Sequence, residues 1–112
     1  MKAKVLVVED SEVGGRTLVT VLSAAGYDVR WESTGHAALA TAAEWDPTAI
    51  VLDRRLPDAD GARIAARFRA PDRRVVVLSG ETAPDGVRGV DCWLVKPVSN
   101  RELLHAIGGE RG

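Results

Sequence analysis

The chain has 112 residues, 46% of them hydrophobic and 28% charged, with a net charge of −1. That is enough for one domain with a small core, and the near balance of acids and bases argues against bulk electrostatic binding to nucleic acid or to a membrane. The single Cys92 cannot form an internal disulfide, no apolar stretch reaches the length of a membrane span, and Met-Lys-Ala-Lys runs straight into the first strand with no signal peptide; the expectation is a cytoplasmic protein whose residues 1–112 form a single domain.

Lys4–Glu9 reads as the first strand. Ser11 is placed to cap a helix over Glu12–Ala25, with Leu18, Leu22 and Ala25 at the spacing of a sheet-facing stripe. Gly14 and Gly15 weaken its first turns by about 1 kcal/mol each relative to alanine, and Gly26 stops it. Tyr27–Trp31 is a second strand, at an edge because Asp28 and Arg30 alternate with Val29 and Trp31. A helix over His36–Trp45 ends at Asp46-Pro47. Ala49–Asp53 is the third strand. Pro57, Asp58 and Asp60-Gly61 mark a turn before a short helix, Ala62–Arg69, whose Ile64 and Phe68 form an i, i+4 apolar pair. Arg74–Ser79 and Asp91–Val95 are the fourth and fifth strands. The last helix is Asn100–Ile107, with Leu103, Leu104 and Ile107 inward, and the tail from Gly108 to Gly112 should fray.

Strands alternating with helices give an α/β sandwich on a parallel sheet. One connection is unusual. Residues 80–90 contain Pro84, Gly86 and Gly89, and only Ala83, Val87 and Val90 are apolar. A parallel crossover normally carries a helix of a few turns; this one has room for about one. Apolar surface near Trp93 and the last helix should therefore be covered by a packed irregular loop or by a second protein chain.

Four apolar runs stop at polar residues. Val5–Val8 stops at Glu9-Asp10, Ala49–Leu52 at Asp53, Val75–Leu78 at Ser79, and Cys92–Val95 at Lys96-Pro97. In open parallel sheets the ligand site lies beyond the carboxyl ends of the strands. Three carboxylates, a hydroxyl and a lysine should converge there, a set able to hold a hard cation together with a phosphoryl group.

These strand ends resemble the receiver domain of bacterial two-component response regulators, the group that includes the chemotaxis regulator. The resemblance rests on V-L-V-V-E-D at 5–10, V-L-D-R-R-L-P-D-A-D-G at 51–61, V-V-V-L-S-G at 75–80 and G-V-D-C-W-L-V-K-P at 89–97, and covers nearly the whole chain. It implies a three-layer, doubly wound, flavodoxin-like fold with a five-stranded parallel sheet of order 2-1-3-4-5, here with a truncated or missing fourth helix. It implies an aspartyl phosphate formed on Asp53 by transfer from a phosphohistidine or a small phosphodonor. Glu9 and Asp10 correspond to the acidic pair that binds Mg²⁺, for which Mn²⁺ can substitute, with Asp53 and the main-chain carbonyl of Arg55 as further ligands. Ser79 takes the place of the hydroxyl that bonds a phosphoryl oxygen, and Lys96 of the cation that pairs with it. Gly80 stands where a small residue lets the backbone approach the phosphate. Lys96-Pro97 matches a pair that is commonly cis. Trp93 occupies the position of the aromatic residue that reports phosphorylation, with packing over the sheet edge as the plain alternative. Arg55 and Glu81 fill two variable positions that tune phosphoryl lifetime, and their opposite charges are able to pair over the site.

The implied partners are a sensor histidine kinase or a histidine phosphotransfer domain, and a second copy or an output protein near Trp93 and the last helix. No direct contact with nucleic acid or membrane is implied. Two other readings stay open. A pseudo-receiver would be an interaction module not controlled by phosphate. A Mg²⁺-dependent phosphatase would carry a second Asp where this chain has Arg55. His36, His105, Arg63 and Arg67 read as solvated surface, and Cys92 as partly buried and inert.

Overall fold

Runs of branched apolar residues form the centre of the molecule. In the computed structural model, which describes residues 2–108, strand β1 (Lys4–Val8), β3 (Ala49–Asp53) and β4 (Arg74–Ser79) are buried along almost their whole length. A strand with neighbours on both edges and helices on both faces has no solvent side, so its sequence does not alternate. Strand β2 (Asp28–Glu32) does alternate and stands at an edge, as expected. With β5 (Cys92–Val95) these make one parallel sheet of order β2-β1-β3-β4-β5. This is the doubly wound, flavodoxin-like order.

Successive residues of each strand point to opposite faces, and two cores result. On one face α1 (Glu12–Ala24) and α4 (Asn100–Gly108) cover Val5, Val7, Val51, Val76 and Leu78, with Leu22, Leu103, Ala106 and Ile107 packed against them. On the other, α2 (Gly35–Trp45) and α3 (Gly61–Ile64) cover Leu6, Val8, Ile50, Leu52, Val75 and Val77.

Several local expectations are revised. Helix α1 is capped by Ser11, whose side chain accepts from the Gly14 N–H at 3.1 Å, but it ends at Ala24, and Ala25 is exposed rather than facing the sheet. The chain turns away at Gly26, where φ is 99°. Gly15 is a close-approach point as well as a weak helix former: a Cβ there would run into the Trp31 ring. The third helix is not one segment over 62–69. It makes a single α turn and continues as a 3₁₀ helix over Ala65–Phe68. In that tighter winding residues three apart eclipse, which aims Ala65 and Phe68 together into the core, both at 0% exposure. Helix α4 is described as far as Gly108, one residue beyond the expected Ile107; the rest of the tail, expected to fray, lies outside the described residues.

The β4–β5 connection contains no helix among the described residues. It is nevertheless fastened at its far end. The Asp91 N–H donates to the Val75 carbonyl at 2.8 Å, and the Asp91 carboxylate accepts from the Val75 N–H and from Arg69, each at 2.7 Å. Gly89 has φ 76° and lies so close to Ala66 that a Cβ would reach its Cα at 2.5 Å. Val90 packs on the core. The loop therefore seals β4, while β5 stays only half-buried and Val95 is 42% exposed.

Candidate functional site

The parallel register delivers the polar strand ends to one place. Ladder partners Val8↔Leu52, Asp53↔Leu78 and Ser79↔Val95 set Glu9, Asp53, Ser79 and Lys96 in consecutive positions along the carboxyl edge of the sheet. The Lys96 N–H donates to the Ser79 carbonyl at 2.7 Å and extends the last ladder by one residue.

Glu9, Asp10 and Asp53 each bring a carboxylate oxygen within 4.8 Å of the others. Glu9 and Asp53 are buried and Asp10 is exposed. Glu9 is held from three sides. Its N–H donates to the Glu32 carbonyl, its carbonyl accepts from the Trp31 indole N–H at 2.7 Å, and its carboxylate accepts from the Ser11 N–H at 3.1 Å. Burial is the main reason its carboxyl is pushed above the ordinary range, with the Asp53 and Asp10 charges adding and the Ser11 N–H and Lys96 opposing. Gly14 gives this side chain room, since a Cβ there would stand 3.1 Å from Glu9 Oε1.

Clustered carboxylates destabilise one another when ionised. Lys96 Nζ reaches Asp53 Oδ1 at 2.7 Å, a charge-assisted contact that offsets part of this repulsion. The donor set is all hard oxygen with one exposed member, which suits Mg²⁺, an ion that keeps several waters and needs few carboxylates. The Arg55 carbonyl is available as a further ligand: no donor bonds it among the described residues.

The other flank of the site is a chain of lighter links. Ser79 is 4% exposed, and its hydroxyl oxygen accepts from the Glu81 N–H at 3.0 Å. The Glu81 carbonyl accepts from the Trp93 indole N–H at 2.8 Å. The Arg54 guanidinium lies 5.6 Å from the Trp93 ring centroid and pairs with Asp60 at 3.4 Å and Glu81 at 3.5 Å. Arg55 pairs with Glu81 at 3.3 Å, the contact anticipated between the two variable positions. Lys96-Pro97 is cis. A Cβ at Gly80 would meet nothing within 4 Å, so no neighbour in the chain requires a glycine there.

A family model for the response regulator receiver domain matches residues 5–108. The chain belongs to that family. This receiver is 33% identical over 113 residues to the uncharacterized transcriptional regulatory protein YkoG of Bacillus subtilis, a match covering 95% of this chain and 50% of that one. It is 34% identical over 113 residues to protein PilG of Pseudomonas aeruginosa, covering 93% and 84%. The chain spans about half the length of most of the curated relatives it matches. Among solved structures, the chemotaxis protein CheY4 of Vibrio cholerae superposes with a TM-score of 0.86 at 29% identity, over 97% of this chain and 98% of that one. A response regulator of Burkholderia pseudomallei, solved with a phosphorylated aspartic acid, a calcium ion and citrate, gives 0.84 at 30% identity over 95% and 66%. The receiver is thus a two-component signalling domain, and no helix among its described residues is long and apolar enough to cross a membrane.

Sequence reasoning passed over residues that hold the site in shape. Gly61 was a turn marker only, yet a Cβ there would meet the Asp53 carbonyl oxygen at 2.5 Å. Arg54 gave no signal beyond its charge. Two further arginines are staples: Arg73 bonds the Pro47 and Phe68 carbonyls, and Arg74 the Ala106 carbonyl. Arg63, Arg67, His36 and His105 are exposed, and Cys92 is half-buried, as read.

Proposed function

We propose that the receiver accepts a phosphoryl group on Asp53 from a histidine kinase or phosphotransfer protein, with Mg²⁺ held by Glu9, Asp10, Asp53 and the Arg55 carbonyl. The observation that carries this is the contact of Lys96 with Asp53 beside two further carboxylates. The Burkholderia pseudomallei relative, which holds a phosphorylated aspartate and a calcium ion, supports it by likeness. When bound, the cation neutralises charge on the phosphoryl oxygens. The chain's own residues do the rest. Asp53 presents a carboxylate oxygen as nucleophile. Lys96, swinging from Asp53, pairs with the arriving phosphoryl group, and the Ser79 hydroxyl donates to one of its oxygens. A shift of Ser79 toward the phosphoryl group would reach Trp93 through Glu81, whose N–H and carbonyl join the two. The output is a change in protein contact near Trp93 and α4, not turnover of a substrate.

Acetyl phosphate with Mg²⁺ should add the mass of one phosphoryl group in an acid-stable, base-labile linkage. Asp53→Asn should abolish it, and undiminished labelling of that variant would sink the assignment. Lys96→Ala should not weaken Mg²⁺ binding, since it removes a cation that competes for Asp53, and should weaken the fluorescence response of Trp93. The helix-less connection before β5 favours one alternative, an interaction module indifferent to phosphate; it requires that wild-type protein take up no label at all.

A further inference from the structure

Asp58 sits at the tip of the loop that carries Arg55, and it reaches across to another element. Its Oδ1 accepts from the Gly35 N–H and its Oδ2 from the His36 N–H, each at 2.9 Å. These belong to the first turn of α2, where N–H groups lack partners within the helix. The next one, of Ala37, is taken by Thr34 Oγ1 at 3.1 Å. The two N–H groups hold the Asp58 carboxyl below the ordinary aspartate range. Gly35 lies close against the same region: a Cβ there would crowd Ile64 Cδ1 at 2.9 Å and come into ordinary contact, 3.5 Å, with Asp58 Oδ1 and Ala59 Cβ.

The rest of the loop is closed on itself. The Leu56 N–H donates to the Ala59 carbonyl at 3.2 Å, the Gly61 N–H donates to the Arg54 carbonyl, and Arg55 bridges to Asp60. These bonds fix its internal shape. Its base is fixed by β3 and by Leu56 against the core; its tip is fastened to α2 through Asp58. Arg55 follows β3 by two residues and precedes the Asp58 tip by three, in the strand-like pair that joins base to tip through its bridge to Asp60.

Resting on the reading of the site given above, we propose that Asp58 is a positioning residue for the cation: by tying the loop tip to α2 it steadies the loop whose Arg55 carbonyl is the fourth ligand of that reading. Mg²⁺ demands near-ideal octahedral geometry, whereas Ca²⁺ tolerates longer and more variable contacts. A loosened loop therefore harms Mg²⁺ binding more than Ca²⁺ binding, which a general loss of stability does not do.

The test is calorimetric titration of the whole chain with MgCl₂ and with CaCl₂. Asp58→Ala should weaken Mg²⁺ binding by about tenfold, the lower end of what losing an outer partner of a metal ligand costs, and Ca²⁺ binding distinctly less. Thr34→Ala frays the same helix end without touching the loop and should leave both affinities at wild-type values. Equal losses in Asp58→Ala and Thr34→Ala would assign the effect to helix fraying and overturn the proposal. So would wild-type Mg²⁺ affinity in Asp58→Ala while Asp10→Asn loses it. Retention of Mg²⁺ binding by Asp10→Asn would instead overturn the site reading itself.

Discussion

The two flanks of the site are built differently. Glu9, Asp10 and Asp53 stand at the ends of β1 and β3, strands with partners on both edges and helices on both faces. Ser79, Glu81, Trp93 and Lys96 stand on β4, on β5 and on the connection between them, which has no helix. On the first flank geometry is imposed by packing: every side chain of Val5–Val8 and Ile50–Leu52 is at 0% exposure. On the second, β4 is packed in the same way, but Glu81, Trp93 and Lys96 beyond it are held by single hydrogen bonds and partly exposed ion pairs, each worth about 1 kcal/mol or less. A flank held by packing keeps ligands in register. One held by a few polar links can rearrange at small cost, as a signalling surface must.

The largest expected difference is in stability. Leu52→Ala empties a site fully enclosed in the core and should cost about 4 kcal/mol, whereas Leu94→Ala on half-buried β5 should cost about 1.5 kcal/mol. Urea unfolding of the two variants measures both, and equal losses would mean that β5 is as firmly built as β3. Next come the two glycines that bracket the site. Gly61→Ala drives a methyl into the Asp53 carbonyl and should cost about 2 kcal/mol, as overpacking against rigid backbone does. Gly80→Ala projects into open space and should stay within about 0.5 kcal/mol of wild type. A penalty at Gly80 as large as that at Gly61 would show that the second flank is also closely packed.

This division also explains what was legible in the sequence. The sheet order and the convergence of Glu9, Asp53, Ser79 and Lys96 follow from apolar runs that end in polar residues, because buried strands leave a continuous hydrophobic record. The features passed over depend on long-range approach, which leaves no periodic trace. Gly15 looks like a weak helix residue until Trp31 is seen lying against it. Asp58 looks like a turn former until it is seen to cap α2. Asp91 reads as the first residue of the fifth strand, yet β5 begins at Cys92 and the Asp91 side chain bonds the start of β4 and Arg69. The break from α to 3₁₀ winding after Ile64, which leaves Ala65 and Phe68 both buried, has no counterpart in the local sequence pattern.

A smaller effect tests the polar links directly. Trp93→Phe keeps an aromatic ring over the sheet but removes the N–H that binds the Glu81 carbonyl. Stability should fall by about 1 kcal/mol, the net value of one such bond. Phosphorylation at Asp53 should remain while its effect on partner binding or on chemical shifts along β5 is lost. Arg54→Ala, which removes the cation from the Trp93 face, should act in the same direction, with the remaining indole emission shifted to the red by added solvent. Full transmission in both variants would mean that Trp93 only packs.

The smallest effect on stability is expected at Arg55 and Glu81, where kinetics should tell more. Their side chains are 81% and 63% exposed and meet at 3.3 Å. A double-mutant cycle with Arg55→Ala and Glu81→Gln should give a coupling of about 0.3 kcal/mol, and it should vanish in about 1 M salt, where the screening length falls to some 3 Å. The pair nevertheless links the residue two beyond Asp53 to the residue two beyond Ser79, so on the function proposed above it would shield a phosphoryl group on Asp53 from water. Opening it by removing either partner should therefore shorten the phosphoryl lifetime severalfold while unfolding curves stay superimposable. High salt should shorten the lifetime of the wild type alone, because the variants have no pair left to screen. A lifetime that is the same in wild type and variants, at low and high salt, would reduce this contact to an ornament of the loosely built flank.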